Sequence, residues 1–262
     1  MKAVAYYQSL PSSDPHSLQD IELPAPTPGP RDLLVAVRAI SVNPVDTKIR
    51  RNVAPADGQA KVLGWDVTGV VQAVGSEVSL FQVGDEVFYA GALQRQGANS
   101  ELHVVDERIV GHKPRSLGFA EAAALPLTAI TAWELLFERL KIAEGSASSG
   151  QSLLIIGAAG GVGSILTQLA RQLTGLTVIG TASRPETADW VKQLGAHHVI
   201  DHSQPLLPQL QQLGIQQVDH VASLTHTDLH YEQLIEALAP QGQLALIDDP
   251  AQLDVVKLKR KS

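Results

Sequence analysis

The chain has 262 residues, a formal net charge of −7 at pH 7, 44% hydrophobic and 18% charged residues, and no cysteine. Such a length carries one large or two ordinary hydrophobic cores; the lack of cysteine excludes disulfides and thiolate metal sites, and the acidic balance argues against nucleic acid as a partner. No apolar run approaches a membrane span and the opening MKAVAYYQS has no signal-peptide core, so no membrane partner and a cytoplasmic location are expected.

The first half reads as short strands between loops rich in proline and glycine. Strand composition marks Met1–Tyr7, Leu33–Ile40, Thr68–Val74, Asp85–Tyr89 and Ser100–Val105, with LPAPTPGPR (Leu23–Arg31) among the loops. This is the layout of an all-β or barrel-like domain with few helices. From Phe119 to Leu140 Ala, Leu and Ile recur at helical spacing, and Pro126 predicts a break or kink there. EGSASSGQ (Glu144–Gln151) is a small polar loop. Beyond it, strands (Leu153–Ile156, Thr177–Ala182, His198–Ile200, Val218–Ser223, Leu244–Ile247) alternate with helices (Gly161–Leu173, Pro185–Leu194, Leu206–Leu213, Asp228–Leu238). Alternation of this kind gives βαβ units, a parallel sheet and helices on both its faces. The basic cluster Lys257–Lys261 reads as a solvated tail.

The run Ser152–Ser164, SLLIIGAAGGVGS, carries the most chemistry. A buried parallel strand leads into a glycine-rich turn and then a helix N-terminus. Glycines let a backbone approach phosphates, and the unpaired N–H groups and positive dipole end of the helix attract their charge. A lone glycine motif is weak evidence. Here a second strand ends in Ser183-Arg184 at the spacing expected of a dinucleotide site. The histidines His197, His198 and His202, and the pair His226 and His230, read as exposed structural residues rather than a metal site.

Several motifs in order resemble the medium-chain dehydrogenase/reductase superfamily: the β-rich first half, LGWDVTGVVQAVGSEVSLFQVGDEV (Leu63–Val87), AAGGVGS (Ala158–Ser164) and LGAHHVID (Leu194–Asp201). NPVD (Asn43–Asp46) and PLTAITAW (Pro126–Trp133) are similar to the quinone oxidoreductase-like branch, which includes proteins called zinc-type alcohol dehydrogenase-like. The resemblance implies an α/β protein: a GroES-like β-rich substrate domain over residues 1–120 and a doubly wound Rossmann domain over residues 121–262, with a dinucleotide in the cleft between them. It also implies a chain shortened at its C-terminus, without the strand through which family members usually pair as homodimers and without the return segment.

In the zinc enzymes of the superfamily, the positions matching Asn43, Trp65 and Leu127 hold Cys, His and Cys. None of the three residues here is a plausible zinc ligand, so no metal is expected. Without a Lewis acid to acidify an alcohol, reduction of an electrophilic acceptor is favoured. NADPH is the expected cofactor, because Ser183 and Arg184 stand where an NAD site places Asp or Glu. The resemblance assigns Ala159, Gly160, Gly161, Val162, Thr131 and Leu224 to the cofactor, and Asn43 to cofactor and substrate pocket alike. Trp65 would pack at the pocket floor or serve only the core. For Asp46, ligand contact and turn chemistry stay open; for Thr131, the alternative is a bond back to its own helical turn. No proton donor is assigned. The expected activity is zinc-independent, NADPH-dependent reduction of a small-molecule quinone or α,β-unsaturated carbonyl. A zinc-type alcohol dehydrogenase and a non-catalytic NADPH-binding sensor are the rivals.

Overall fold

Valine- and alanine-rich stretches of the first 127 residues pair into two antiparallel sheets. The computed structural model describes residues 1–261. The chain folds as two compact units, Met1–Leu127 and the segment from Thr128 onward. In the first unit β1 (Lys2–Tyr6), β2 (Gln19–Glu22), β3 (Asp32–Ser41), α1 (Pro44–Asn52), β4 (Lys61–Val62) and β5 (Asp66–Val74) come first. Then follow β6 (Glu86–Ala90), β7 (Leu102–Asp106), β8 (Gly111–His112) and α2 (Phe119–Ala123). The sheets run β2-β1-β4 and β7-β3-β5-β6-β8. Alternate side chains point inward, as a two-residue period requires: Leu33 and Val35, Val67 and Val71, and Val87 and Tyr89 form the buried core of the larger sheet.

The five expected strands are present, with ends shifted by one or two residues, while β2, β4 and β8 add to them. The stretch 119–140 is not one kinked helix. α2 stops at Ala123, and Pro126 is the first residue of a new helix, α3 (Pro126–Trp133), where its missing N–H costs nothing. The chain then winds through a π-helical turn, Glu134–Arg139, closed by Leu140 N–H donating to the Leu135 carbonyl at 3.0 Å. The first unit ends seven residues later than expected, at Leu127 rather than 120, because α2 packs on β3 and β5. The Thr68 hydroxyl also donates to the Phe119 carbonyl at 2.8 Å.

The second unit alternates β9 (Ser152–Ile156), α4 (Gly161–Leu173), β10 (Thr177–Thr181), α5 (Pro185–Gln193), β11 (His198–Ile200), α6 (Leu206–Gln212), β12 (Val218–Ser223), α7 (Thr227–Ala237) and β13 (Leu238–Leu246). All strands are parallel in the order β11-β10-β9-β12-β13. β9 lies at the centre and is buried along its whole length. Its Leu153 and Ile155 pack with Leu166 of α4 and Val191 of α5. Its Leu154 and Ile156 pack with Leu206 and Leu210 of α6 and Leu234 of α7. One strand thus feeds two cores, which is why its sequence is a continuous apolar run. β13 begins at Leu238, six residues before the expected strand, and its pairing with β12 shifts register between Val218 and His220.

α4 sits close to β9 because Gly163 has no side chain: a Cβ there would lie 2.4 Å from the Gly157 carbonyl oxygen and 2.6 Å from Ala158 Cα. Gly157 itself has φ 78°, the left-handed region that favours glycine. Gly163→Val should destabilise the protein by roughly 1–3 kcal/mol through overpacking. Gly161→Ala, whose Cβ would meet only Thr128 Cγ2 at 3.3 Å, should stay within about 0.5 kcal/mol of the parent. Urea midpoints of the two variants check the contrast.

Candidate functional site

At the carboxyl ends of the central strands the second unit opens into a crevice of about 320 Å³. Its walls come from the turn after β9 (Gly157, Ala159, Gly160), from the end of β10 (Thr181 to Arg184) and from His202 after β11. Gly160 is the N-cap of α4 and, lacking a side chain, leaves the first-turn N–H groups without a side-chain acceptor. Gly157 N–H donates to the Thr181 hydroxyl at 3.2 Å, joining the ends of β9 and β10. Arg184 is the N-cap of α5 and is exposed beside Ser183. These features fit a dinucleotide: a glycine turn and helix N-terminus for the pyrophosphate, and polar and cationic groups at the end of the second strand.

The expected cofactor residues fall into distinct places. Ala159, Gly160, Ser183 and Arg184 line this crevice together. Gly161 and Val162 form the first turn of α4, and Leu224 follows β12, its N–H donating to the Ile156 carbonyl at 3.2 Å. Thr131 lies half-buried on α3 with its polar groups partnered, and is not among the residues lining the crevice.

In the first unit Asn43 links Asp46 to a buried carboxylate that sequence reasoning did not single out, Asp66. Asn43 is the N-cap of α1, which runs nine residues. Asp46 Oδ2 accepts the Asn43 N–H at 2.7 Å and Asp46 Oδ1 accepts the Gly64 N–H at 3.0 Å. Both carboxylate oxygens therefore hold backbone, which gives the turn-chemistry alternative its atoms. The Asn43 side-chain amide donates to Asp66 Oδ2 at 3.0 Å, and Leu127 N–H donates to Asp66 Oδ1 at 3.0 Å. Burial pushes the Asp66 carboxyl up to about 6, aided by nearby Asp46 and opposed by the bonds from Asn43 and Leu127. Trp65 is 2% exposed and packs with Tyr6 and Leu63, its indole N–H buried without a partner.

The donors at these three positions do not fit zinc. Asn43 commits its amide to Asp66, an indole N–H can only donate, and Leu127 has no side-chain donor atom. Among the described residues no group of three or more His, Asp or Glu side chains is placed to hold a metal ion. The histidines depart from expectation in one respect. His197 and His226 are exposed, His197 Nδ1 accepting the Val178 N–H at 2.9 Å, but His198, His202 and His230 are half-buried, the last two with their rings 5.8 Å apart. Twenty-seven residues separate them in the chain, so no local pattern brings them together.

The second unit thus has the architecture of dinucleotide-binding α/β units, and is joined in one chain to a β-rich unit. Comparison with known proteins gives the family. Residues 29–133 match the alcohol dehydrogenase GroES-like domain and residues 161–260 match the zinc-binding dehydrogenase domain. A zinc-type alcohol dehydrogenase-like protein of Staphylococcus aureus is 42% identical over 99% of this chain and 78% of its own length. A solved structure of a putative zinc-dependent alcohol dehydrogenase from Rhizobium etli is 56% identical with a TM-score of 0.95, covering 100% of this chain and 76% of that one. Escherichia coli quinone oxidoreductase complexed with NADPH is 27% identical with a TM-score of 0.81, over 100% of this chain and 78% of that one. The chain belongs to the medium-chain dehydrogenase/reductase superfamily, in its quinone oxidoreductase-like branch, and is an oxidoreductase of that superfamily.

Two outcomes follow from the Asp66 cluster. Asp46→Ala leaves two buried N–H groups without their charged acceptor and should lower stability by roughly 2–4 kcal/mol, read from urea midpoints. The folded Asp66 carboxyl keeps its proton to about pH 6, against an ordinary value of 3.8. Between those values the folded state binds more protons than the unfolded one, so this residue's contribution falls as pH rises through that window. Asp66→Asn should remove that component of the slope; midpoints at pH 4 to 7 for both proteins check it.

Proposed function

We propose that the protein is a zinc-independent, NADPH-dependent oxidoreductase that reduces quinones or α,β-unsaturated carbonyls by hydride transfer. The observation that carries the reading is the position of Ser183 and Arg184 in one crevice with the glycine turn. A guanidinium and a hydroxyl suit a 2′-phosphate, whereas an NAD site would place a carboxylate at that strand end. The donor set at Asn43, Trp65 and Leu127 supports chemistry without zinc, and hence an acceptor that is already electrophilic.

When bound, the nicotinamide supplies the hydride. The chain's own part is binding and orientation. The first-turn N–H groups of α4 take the pyrophosphate, Ser183 and Arg184 take the adenosine end, and the packing of α4 on β9 fixes the turn between them.

Arg184→Ala should weaken NADPH binding by about one to two orders of magnitude and leave NADH nearly unchanged, given roughly 1.5–3 kcal/mol for a charge-assisted bond. Titration of both cofactors against parent and variant tests this. Equal losses would report damage to the fold, and no loss for either would place the phosphate elsewhere. A panel of quinones, enones and alcohols at saturating cofactor, with metal analysis of the purified protein, tests the reaction. Turnover confined to alcohols with stoichiometric zinc would replace the reading by an alcohol dehydrogenase, and no turnover by a binding protein.

A further inference from the structure

The carboxylate of Asp66 holds two helix starts at once. It lies fully buried at the first residue of β5, opposite Ser41 of β3 and Ala90 of β6. Its Oδ1 accepts the N–H of Leu127, the second residue of α3, and its Oδ2 accepts the side-chain amide of Asn43, the N-cap of α1, each at 3.0 Å. The two ends of an amide have nearly the same shape, so its neighbours decide which way it faces. An ionised carboxylate only accepts, and the end of Asn43 that meets Asp66 is therefore its nitrogen. One of the two amide hydrogens goes to Asp66. The other has the Ser41 carbonyl at 3.4 Å, longer than the roughly 2.7–3.2 Å of a well-formed N–H···O bond. Asn43 also keeps 9% of its surface exposed. The second N–H is thus the part of Asn43 that a ligand can take.

We propose that Asp66 is a positioning residue of the reaction: by holding one N–H of Asn43 it fixes the direction of that amide, so that the second N–H is held ready for the carbonyl oxygen of the acceptor. This rests on the reading of the protein as a reductase of quinones or enones with Asn43 in the substrate pocket. The acceptor's oxygen gains negative charge as hydride reaches its carbon, and a donor whose orientation is set beforehand stabilises that charge without reorganising. Asp66 acts through Asn43 and not on the substrate. The fold would be served equally by any pair that joins position 43 to position 66, but the reaction needs the donor at 43. Asp46, the neighbouring charge, has both its oxygens on the N–H groups of Asn43 and Gly64, so it holds the backbone of the same turn while Asp66 holds the side chain.

The test is steady-state kinetics with a quinone and an enone at pH 7.5, where Asp66 is ionised, together with NADPH binding and urea midpoints. In Asp66→Asn the new amide serves Leu127 with its oxygen and turns its NH2 on that of Asn43, which loses its hold. The kcat for the acceptor should fall by about tenfold, with Kd for NADPH near the parent's. Asn43→Ala should cost about as much, and the double variant Asn43→Ala, Asp66→Asn no more than either alone. Costs that multiply overturn the proposal, and so does an Asp66→Asn protein with the parent's kcat. The exchange Asn43→Asp with Asp66→Asn rebuilds both bonds with donor and acceptor reversed. It should recover the urea midpoint but not kcat, because position 43 then has no N–H to offer. An exchange that recovers both reduces the pair to a strut and overturns the proposal, which decides the matter if Asp66→Asn alone fails to fold. If the parent turns over and Asn43→Ala matches it, this inference fails and the proposed reduction stands. A parent that reduces no quinone or enone fails the proposed function, and this inference with it.

Discussion

The contact on which the second unit depends is the approach of α4 to β9 without an intervening side chain. A Cβ at Gly163 would lie 2.4 Å from the Gly157 carbonyl oxygen, and Gly157 turns the chain through a positive φ that other residues adopt only with strain. The closeness has two consequences at once. It seals the core face formed by Leu153, Ile155 and Leu166. It also brings the first turn of α4 to the carboxyl end of the sheet, where the ends of β10 and β11 supply polar side chains. Packing and phosphate-binding capacity therefore have one cause, and a side chain at Gly163 would damage both.

Around that contact, the order of strands decides which loops meet. With β9 in the middle, β10 and β11 lie successively to one side, so three consecutive βα junctions present Gly160, Arg184 and His202 to the same crevice. Close packing requires Gly180 as well, since a Cβ there would lie 2.5 Å from Val191 Cγ1 on α5 and 3.0 Å from Ala158 Cβ. The small residues at these strand ends thus keep the junctions of β9 and β10 near each other, and the polar residues that follow inherit that proximity.

How much of this was legible in the sequence follows from what each signal is made of. β9, α4, β11 and β12 were readable almost to the residue because their patterns are strong: a continuous apolar run, a 3.6-residue period after glycines, and short β-branched segments. α1 leaves little trace in the sequence because PVDTKIRRN has few apolar residues, so its length depends on capping and not on a buried stripe. β4 and β8, two residues each, exist only as partners of longer strands and leave no periodic trace. The place of Ser183 and Arg184 in the crevice was legible because they directly follow a strand that its apolar run marks. Asp66 and the His202–His230 contact were not, since both arise between segments distant in sequence and adjacent only in the fold.

The two clusters of polar residues differ in a way that separates support from binding capacity. In the first unit the carboxylates are used up: Asp46 holds the N–H groups of Asn43 and Gly64, and Asp66 holds Asn43 and Leu127. A buried charge is tolerated there because backbone and amide donors satisfy it, and the Asp66 carboxyl is raised because those donors offset burial and the neighbouring Asp46 only in part. At the crevice of the second unit the balance is reversed. The N-cap of α4 has no side chain to satisfy its first turn, and the nearby titratable groups, Arg184 and His202, have no carboxylate among the described lining residues to neutralise them. Excess donors facing a concave surface have no use within the fold, and an anion is the chemistry that would satisfy them together.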